Sequence, residues 1–326
     1  MSAGVVQLIA IGAQDEYIMG NPEISFFSSQ FKRHANFSQS IEKQTILGAV
    51  KSNSMSSVNF ERSGDLLGYV YFAADDSSQA QSIDDWRTLV DKVELLIGGS
   101  VVDSQDSIFS EKIAIDTFAQ NVSKSAMGSH PGTSSSSYFY PLRFFFCESA
   151  QCAIPLVALN YHNVELRIYW GPNASAYNIE CFANYYYLDN QERAQISTKT
   201  HDILITQVQK NIPSQNRIQE LTFNHPVKYL ASSNTSVVSS LTSPSNRIKL
   251  TINGLDVGNY RWSQPHFIDV MNYYHTNFVT SPDFFLYCFC LMTSSYQPTG
   301  TLNFSRLNSA KIMSESLDIM DPIYAV

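Results

Sequence analysis

Apolar side chains recur at every second position over much of this chain, the period of half-buried strands. Residues 40–50, 57–60, 66–73, 92–97 and 181–188 read this way, separated by Ser-, Asp- and Gly-rich stretches. Residues 138–169 predict two further buried strands joined by a loop. Phe144-Phe145-Phe146 is apolar but too short for a helix core, and Pro155 and the turn residues 160–163 punctuate the remainder of the segment. The same order of parts returns at 284–313: an aromatic strand, a Ser-rich turn, a proline, Leu-Asn-aromatic, then an alternating strand. Pro155 maps to Pro298 and Leu159-Asn160-Tyr161 to Leu302-Asn303-Phe304, each pair 143 residues apart.

A second echo lies 155 residues apart. Lys92-Val93-Glu94-Leu95-Leu96-Ile97-Gly98-Gly99 matches Arg247-Ile248-Lys249-Leu250-Thr251-Ile252-Asn253-Gly254. Each is a strand ending in a Gly-Gly or Asn-Gly pair, a strong hairpin signal because both residues of a type I′ turn need positive φ. Two echoes in one order predict two β-domains of one topology, 38–189 and 190–326, behind an arm of residues 1–37.

Between strands the pattern changes. Residues 5–11 read as a short apolar strand or arm. At 21–34 the period lengthens: Asn21 is a possible N-cap, Pro22 suits the first helical position, and Ile24, Phe27 and Phe31 share one face. Lys32-Arg33-His34 then complements a helix C-terminus. A short amphipathic helix packed under a sheet is expected there, or an arm that meets a partner. The excursion 104–137 predicts a helix near 110–123 on Ile113, Phe118 and Val122, then a polar run at 128–137. Residues 189–199 form a charged linker. Strands follow at 202–209, 221–231 and 247–252. A long aromatic excursion, 259–282, carries Tyr260, Trp262, Phe267, Tyr273 and Tyr274.

Composition narrows the function. Charged residues are 15%, against roughly 25% in an ordinary soluble domain, while aromatics reach 13%. That balance suits strands buried on several sides, including between subunits. A net charge of −8 argues against gripping nucleic acid, which needs clustered Lys and Arg. The first twenty residues have no basic segment and Gln7 breaks their apolar run, so no secretory leader is expected. Five scattered cysteines suit a reducing compartment. The sequons at Asn36, Asn121, Asn173, Asn234 and Asn303 are then expected to stay unglycosylated by a secretory route.

Candidate chemistry is thin. None of the seven histidines has metal-site spacing. His34, His162, His201 and His225 are read as structural. Cys147/Cys152 and Cys288/Cys290 read as small buried residues on apolar strands rather than ligands. Nucleophile-elbow, phosphate-loop and HExxH patterns do not occur.

Many short motifs, in order, resemble the major capsid proteins of large nucleocytoplasmic DNA viruses, the algal-virus and mimivirus-like group. They include Ile11-Gly12-Ala13-Gln14-Asp15, Gly20-Asn21-Pro22-Glu23-Ile24-Ser25-Phe26-Phe27, Lys32-Arg33-His34, Asn36-Phe37 and Gly64-Asp65-Leu66. Ile97-Gly98-Gly99, Pro141-Leu142 with Phe144-Phe145-Phe146, Pro155-Leu156 and Tyr161-His162 continue the series. Gln191-Glu192-Arg193, Phe223-Asn224-His225-Pro226, Lys228-Tyr229-Leu230 and Asn303-Phe304-Ser305-Arg306 complete it. The resemblance spans nearly the whole chain. It implies an all-β double jelly roll: two antiparallel eight-stranded sandwiches in tandem behind a short N-terminal arm or helix. It further implies a homotrimer forming a pseudo-hexagonal capsomer of an icosahedral shell, assembled in host cytoplasm and residing in the virion. Neighbouring capsomers and minor capsid proteins would be the partners, with no direct nucleic-acid contact, no cofactor and no catalytic role. Asn21, Pro22, Phe26, Phe27, Arg33 and His34 would form the inner assembly motif, with a membrane layer beneath within reach of the arm. Outer tower loops, between strands D–E and F–G of each roll, would be 104–137, 173–179 and 259–282. They would expose Tyr260, Trp262, Phe267, Tyr273 and Tyr274.

Two departures matter. The tower loops are short. The chain also stops at Ile323-Tyr324-Ala325-Val326, where the family pattern continues through Asn-Tyr-Asn into a closing strand, so the second roll is expected to lack its last strand and leave an edge open. The alternatives are a minor capsid paralogue or integrated-virus relic, a carbohydrate-binding jelly roll using the aromatics of 259–282, and a β-sandwich hydrolase.

Overall fold

The computed structural model describes residues 3–29, 31–75, 80–121, 123–124, 138–233, 240–277 and 284–326. It falls into two units, Met1–Asn36 and Phe37–Val326.

The second unit is β-rich, as the period-2 pattern dictates. Its first half has ten strands: β1 (Phe37–Gln44), β2 (Ile46–Leu47), β3 (Met55–Asn59), β4 (Leu66–Asp75), β5 (Val90–Ile97), β6 (Ser100–Asp106), β7 (Phe139–Pro141), β8 (Ile154–Pro155), β9 (Val164–Trp170) and β10 (Asn178–Leu188). They form two antiparallel sheets. One runs β1-β10-β4-β7, with β8 also on β4; the other runs β2-β3-β9-β5-β6. These are the B-I-D-G and C-H-E-F orders of a jelly roll. The second half repeats them with β11 (Gln209–Asn211), β12 (Ile218–Glu220), β13 (Pro226–Val227), β14 (Tyr229–Ser233), β15 (Arg247–Ile252), β16 (Leu255–Asp256), β17 (Arg261–Trp262), β18 (Phe284–Cys288), β19 (Leu302–Asn303), β20 (Ala310–Ser314) and β21 (Ile323–Ala325). Its sheets run β11-β21-β14-β18 and β12-β20-β15-β16, with β17 also on β15.

The internal echoes mark equivalent strands. β5 and β15 hold the same place, and both end in the expected tight turn: φ is +61° and +81° at Gly98-Gly99, and +50° and +79° at Asn253-Gly254. A Cβ on Gly98 would also lie 2.5 Å from His162 Nδ1, so glycine is required there twice over.

Each roll has its own core. The first is built from aromatic and branched side chains, with Trp170 donating its indole N–H to Ser56 Oγ at 2.9 Å and Tyr185 OH bonded to Gln44 Oε1 at 3.1 Å. Burying these rings without such partners would cost stability. The second gathers Leu230, Ile248, Leu250, Phe285, Phe304 and Ile319.

Several expectations are corrected. β21 fills the closing position: Tyr324 pairs with both Lys210 and Ala231, so the second roll has its last strand, three residues long where its counterpart β10 has eleven. A ladder needs only backbone N–H and C=O groups, which any sequence supplies. Phe144-Phe145-Phe146 opens a helical turn, Phe145–Glu148, instead of a strand. All three rings are still buried, stacking at 6.2 Å (Phe144–Phe146) and meeting edge-on at 5.5 Å (Phe145–Phe146). The linker is a helix, Asn190–Thr198, capped by Asp189 accepting from Asn190 N at 2.8 Å. Residues 202–208 and 221–225 are not strands. A helix does form in the 104–137 excursion, as a wide-wound Phe109–Ile113 followed by Ala114–Thr117. It starts earlier than expected, and 104–106 belong to β6. Residues 173–179 form the turn between β9 and β10 (H–I), not a D–E or F–G loop. Val122, 128–137 and Asn234 lie outside the described residues.

The first unit has two short helices, Ala3–Ile9 and Glu16–Met19. The apolar 5–11 segment is thus helical over most of its length, not extended. The helix expected after Asn21 does not form: Asn21 takes φ +51°, incompatible with an N-cap's extended backbone. No residue of 3–29 is buried, and Phe27 is 100% exposed. Among the described residues, no helix is long and apolar enough to cross a membrane.

Candidate assembly surfaces

The resemblance motifs meet in pairs across the fold. Asp65 accepts Leu188 N–H at 2.9 Å and pairs with Arg193 at 2.9 Å, tying the linker helix back onto the first roll. The His162 ring sits against Gly98. Phe223 meets Phe304 edge-on at 5.9 Å, His225 N–H donates to Ser305 Oγ at 2.8 Å, and Phe304 N–H returns to His225 O at 3.0 Å. His34 and His201 bond the backbone oxygens of Ala35 (2.8 Å) and Ile196 (2.6 Å). The last two bonds are local; the Asp65, His162 and Phe223–His225 motifs are joints of the fold. All five cysteines are free, and among the described residues no cluster of His, Cys, Asp and Glu is suited to a metal.

The two rolls share a third core that sequence periodicity did not reveal. Phe109, Ile113 and Ala114 of the first-roll helix, with Phe118 just past its end, pack with Tyr229, Phe284, Leu286 and Tyr324 of the second roll. Tyr324 lies 5.5 Å from the Phe109 ring and donates its OH to Asp106 Oδ2 at 2.8 Å. Lys210 pairs with the same carboxylate at 2.6 Å, and Tyr229 OH donates to Thr117 Oγ1 at 2.9 Å. Asp103 accepts Val208 N–H at 2.9 Å; burial drives its carboxyl up to about 6 despite that bond. Glu111, on the seam helix, is also raised, to about 8, chiefly by burial and then by Asp85, against the opposing pull of Arg87 at 3.6 Å. Residues 113–119 of the expected tower loop are thus interior.

Two surfaces stay open. On the B-I-D-G face of the first roll, Ile41, Tyr69, Tyr71, Tyr138 and Phe139 line a groove of about 660 Å³. Tyr71 stacks on Phe182 at 5.3 Å and meets Phe139 edge-on at 6.1 Å. Lys124, paired with Glu148 at 3.4 Å, supplies its polar rim, and Arg143 lies buried in its wall. The second surface is the F–G excursion of the second roll. Tyr260, Trp262, Tyr273 and Tyr274 are exposed, Tyr273 by 79%. Arg247 lies over Trp262 at 4.3 Å and Lys249 over Tyr260 at 4.9 Å. Phe267 does not join them: it is 5% exposed and packs 5.2 Å from Phe285, because the helix carrying it turns that side into the core. In the arm, Asn21, Pro22, Phe26, Phe27, Arg33 and His34 are all exposed.

Comparison with known proteins agrees with this architecture. Residues 25–189 match the family "Major capsid protein N-terminus", and 192–318 match "Large eukaryotic DNA virus major capsid protein". The major capsid protein of Pyramimonas orientalis virus is 29% identical, covering 98% of this chain and 93% of its own length. That of Paramecium bursaria Chlorella virus 1 is 28% identical, covering 96% and 87%. Among solved structures, the PBCV-1 capsid protein superposes with a TM-score of 0.75 at 22% identity over 92% of this chain and 95% of that one. The Faustovirus major capsid protein gives 0.67 at 11% identity over 97% and 92%. Two tandem jelly rolls, covered almost end to end by consecutive family matches, place the chain: it belongs to the major capsid proteins of large eukaryotic DNA viruses, structural proteins of the virion's shell.

Proposed function

We propose that this chain builds its shell as a homotrimer, three pairs of jelly rolls making one pseudo-hexagonal capsomer. The groove over Ile41, Tyr69 and Tyr71 carries the reading. Its apolar floor and charged rim have the anatomy of a protein–protein interface, and a second copy of the chain would cover it. Neighbouring capsomers and minor capsid proteins would contact the remaining surface. The arm motif, Asn21, Pro22, Phe26, Phe27, Arg33 and His34, would be covered on the inner side, by minor capsid proteins or the membrane layer there. The exposed aromatics Tyr260, Trp262, Tyr273 and Tyr274 would face outward. The role proposed is structural: the buried carboxylates Asp103 and Glu111 are engaged within the fold, by backbone N–H groups and beside Arg87 respectively.

Light scattering of the purified chain across a dilution series tests this. Three chain masses, stable to dilution, is the expected result. Tyr71→Asp and Ile41→Asp place charge in the groove and shift the mass toward one chain with the fold intact by circular dichroism. A monomeric wild type, or a trimer indifferent to both substitutions, would refute the proposed interface.

A further inference from the structure

A cavity of about 50 Å³ opens where the two rolls and their connector meet. Lys228 lies on its wall, between the end of β13 and the start of β14. Its backbone is fixed on both sides: its N–H donates to Val326 O at 2.6 Å, and its carbonyl accepts from Phe289 N at 2.9 Å and Cys290 N at 3.2 Å. Its side chain is 7% exposed and, among the described residues, makes no hydrogen bond or ion pair. The ionisable groups that face it are the thiols of Cys288 and Cys290, and burial lowers its pKa. Thr293 lies on the same wall, 0% exposed, with no partner for its hydroxyl.

The one carboxylate lining the cavity does not neutralise Lys228. Glu148 is already flanked by Lys124 and Arg143, each at 3.4 Å. Among the described residues, Lys228 is therefore the one cation on the cavity wall, and the one carboxylate there is engaged elsewhere. Gln120, Ser149, Thr206 and Ser295 add polar groups around it. A largely buried lysine without an ion pair and a buried hydroxyl without a partner in one place are costly unless something meets them. Space decides what could. A water needs roughly 10–15 Å³ by this measure, so the cavity holds about four waters or one small tetrahedral oxyanion.

We propose that this inter-roll cavity binds a small oxyanion of the size of inorganic phosphate, with the Lys228 ammonium as its counter-charge and the Thr293 hydroxyl as a donor. A compact ammonium suits such a ligand as a point charge. The ligand would touch both rolls and the connector at once and so clamp the seam. Nothing in this requires the trimer.

The test uses the full chain, in whatever oligomer it forms, with thermal unfolding followed at fixed ionic strength while phosphate replaces chloride. Phosphate also stabilises proteins by surface exclusion, so the readout is the difference between wild type and Lys228→Met. Lys228→Met removes an unpaired buried charge and is expected to fold. The wild-type midpoint should rise saturably, by a few degrees at phosphate well above its Kd. Lys228→Met should keep only the shallow, linear exclusion effect, and Thr293→Val should bind more weakly. Calorimetric titration with phosphate should show one site per chain, absent in Lys228→Met. Equal phosphate responses in wild type and Lys228→Met would overturn the proposal. So would a calorimetric titration of wild type with phosphate that shows no saturable site.

Discussion

Tyr324 joins the seam between the rolls through both its ring and its hydroxyl, and its removal can be predicted with magnitude. It sits on the three-residue closing strand, 1% exposed, its ring against Phe109 and its hydroxyl on Asp106. Truncating a buried aromatic ring to alanine costs about 3–5 kcal/mol in transfer and cavity terms. The hydroxyl adds about 1–2 kcal/mol, at the lower end for a bond to a charged group. Asp106 would keep two partners without it, Lys210 at 2.6 Å and Phe109 N–H at 2.9 Å. Tyr324→Ala should therefore cost about 5 kcal/mol and Tyr324→Phe about 1–2 kcal/mol. At roughly 2–4 °C per kcal/mol for a body of this size, the midpoint falls by on the order of 10 °C for alanine and a few degrees for phenylalanine. Thermal unfolding followed by fluorescence, with Trp86 and Trp170 reporting the first roll, gives the comparison; Tyr324→Ala should also separate the transitions of the two rolls. If both variants lose the same amount, the ring is not packed at the seam. If alanine costs nothing, β21 does not close the second roll, and the account of the fold fails there.

Two more outcomes rest on local geometry. Glu111 titrates near 8 in the fold and near 4.5 when unfolded, so the folded chain holds a proton that the unfolded chain releases. The stability this confers is fully present below about pH 4.5 and is lost as pH rises through 8, a loss of up to a few kcal/mol at about 1.4 kcal/mol per unit. Between pH 6 and 9 the end of the Asp103 titration is common to both proteins, so the wild-type midpoint should fall further than that of Glu111→Gln; parallel profiles would count against the burial of Glu111. Gly98→Ala should cost about 1–3 kcal/mol, from a strained positive φ and a Cβ 2.5 Å from His162 Nδ1. Gly99→Ala, where no atom lies within 4 Å, should cost only the φ strain of about 1 kcal/mol. Denaturant midpoints for the pair that fail to separate would remove His162 from that turn.

The parts legible in the sequence are those set by local chemistry. Both tight turns are visible as Gly98-Gly99 and Asn253-Gly254, because positive φ restricts the residue choice. The repeat is visible because two rolls of one topology need apolar positions at the same places. The helix expected after Asn21 is absent because composition allows an N-cap but does not choose the backbone; Asn tolerates positive φ and takes it. Phe144-Phe145-Phe146 is ambiguous because a short apolar run suits a buried strand or a buried turn equally. The seam is hidden for a different reason. Phe109, Tyr229 and Tyr324 lie more than ninety positions apart in the sequence, and no periodicity links them. Phe267 departs from expectation because an aromatic excursion reads as wholly exposed, although its helix has an inner face. Lys228 stands within a resemblance motif, but only its burial reveals that its charge lacks a partner.

The strand order also governs how fast the protein can become itself. In each roll the first strand pairs with the last: Phe37 aligns with Leu188, and Gln209 with Ala325. Each closure joins chain ends across an entire domain, so the loop entropy must be surrendered before the ladder returns anything, and such topologies fold in milliseconds to seconds rather than microseconds. During that interval β4 and β14 each lack a neighbour that the native fold supplies, β10 and β21 respectively. Unpaired edges on concurrently folding copies can pair with one another, a route to domain swapping and disordered aggregates. For a protein made in the quantity a shell demands, productive yield then depends on the race between intramolecular closure and encounter with another unfinished copy, a race that dilution or slower synthesis tilts toward the native roll.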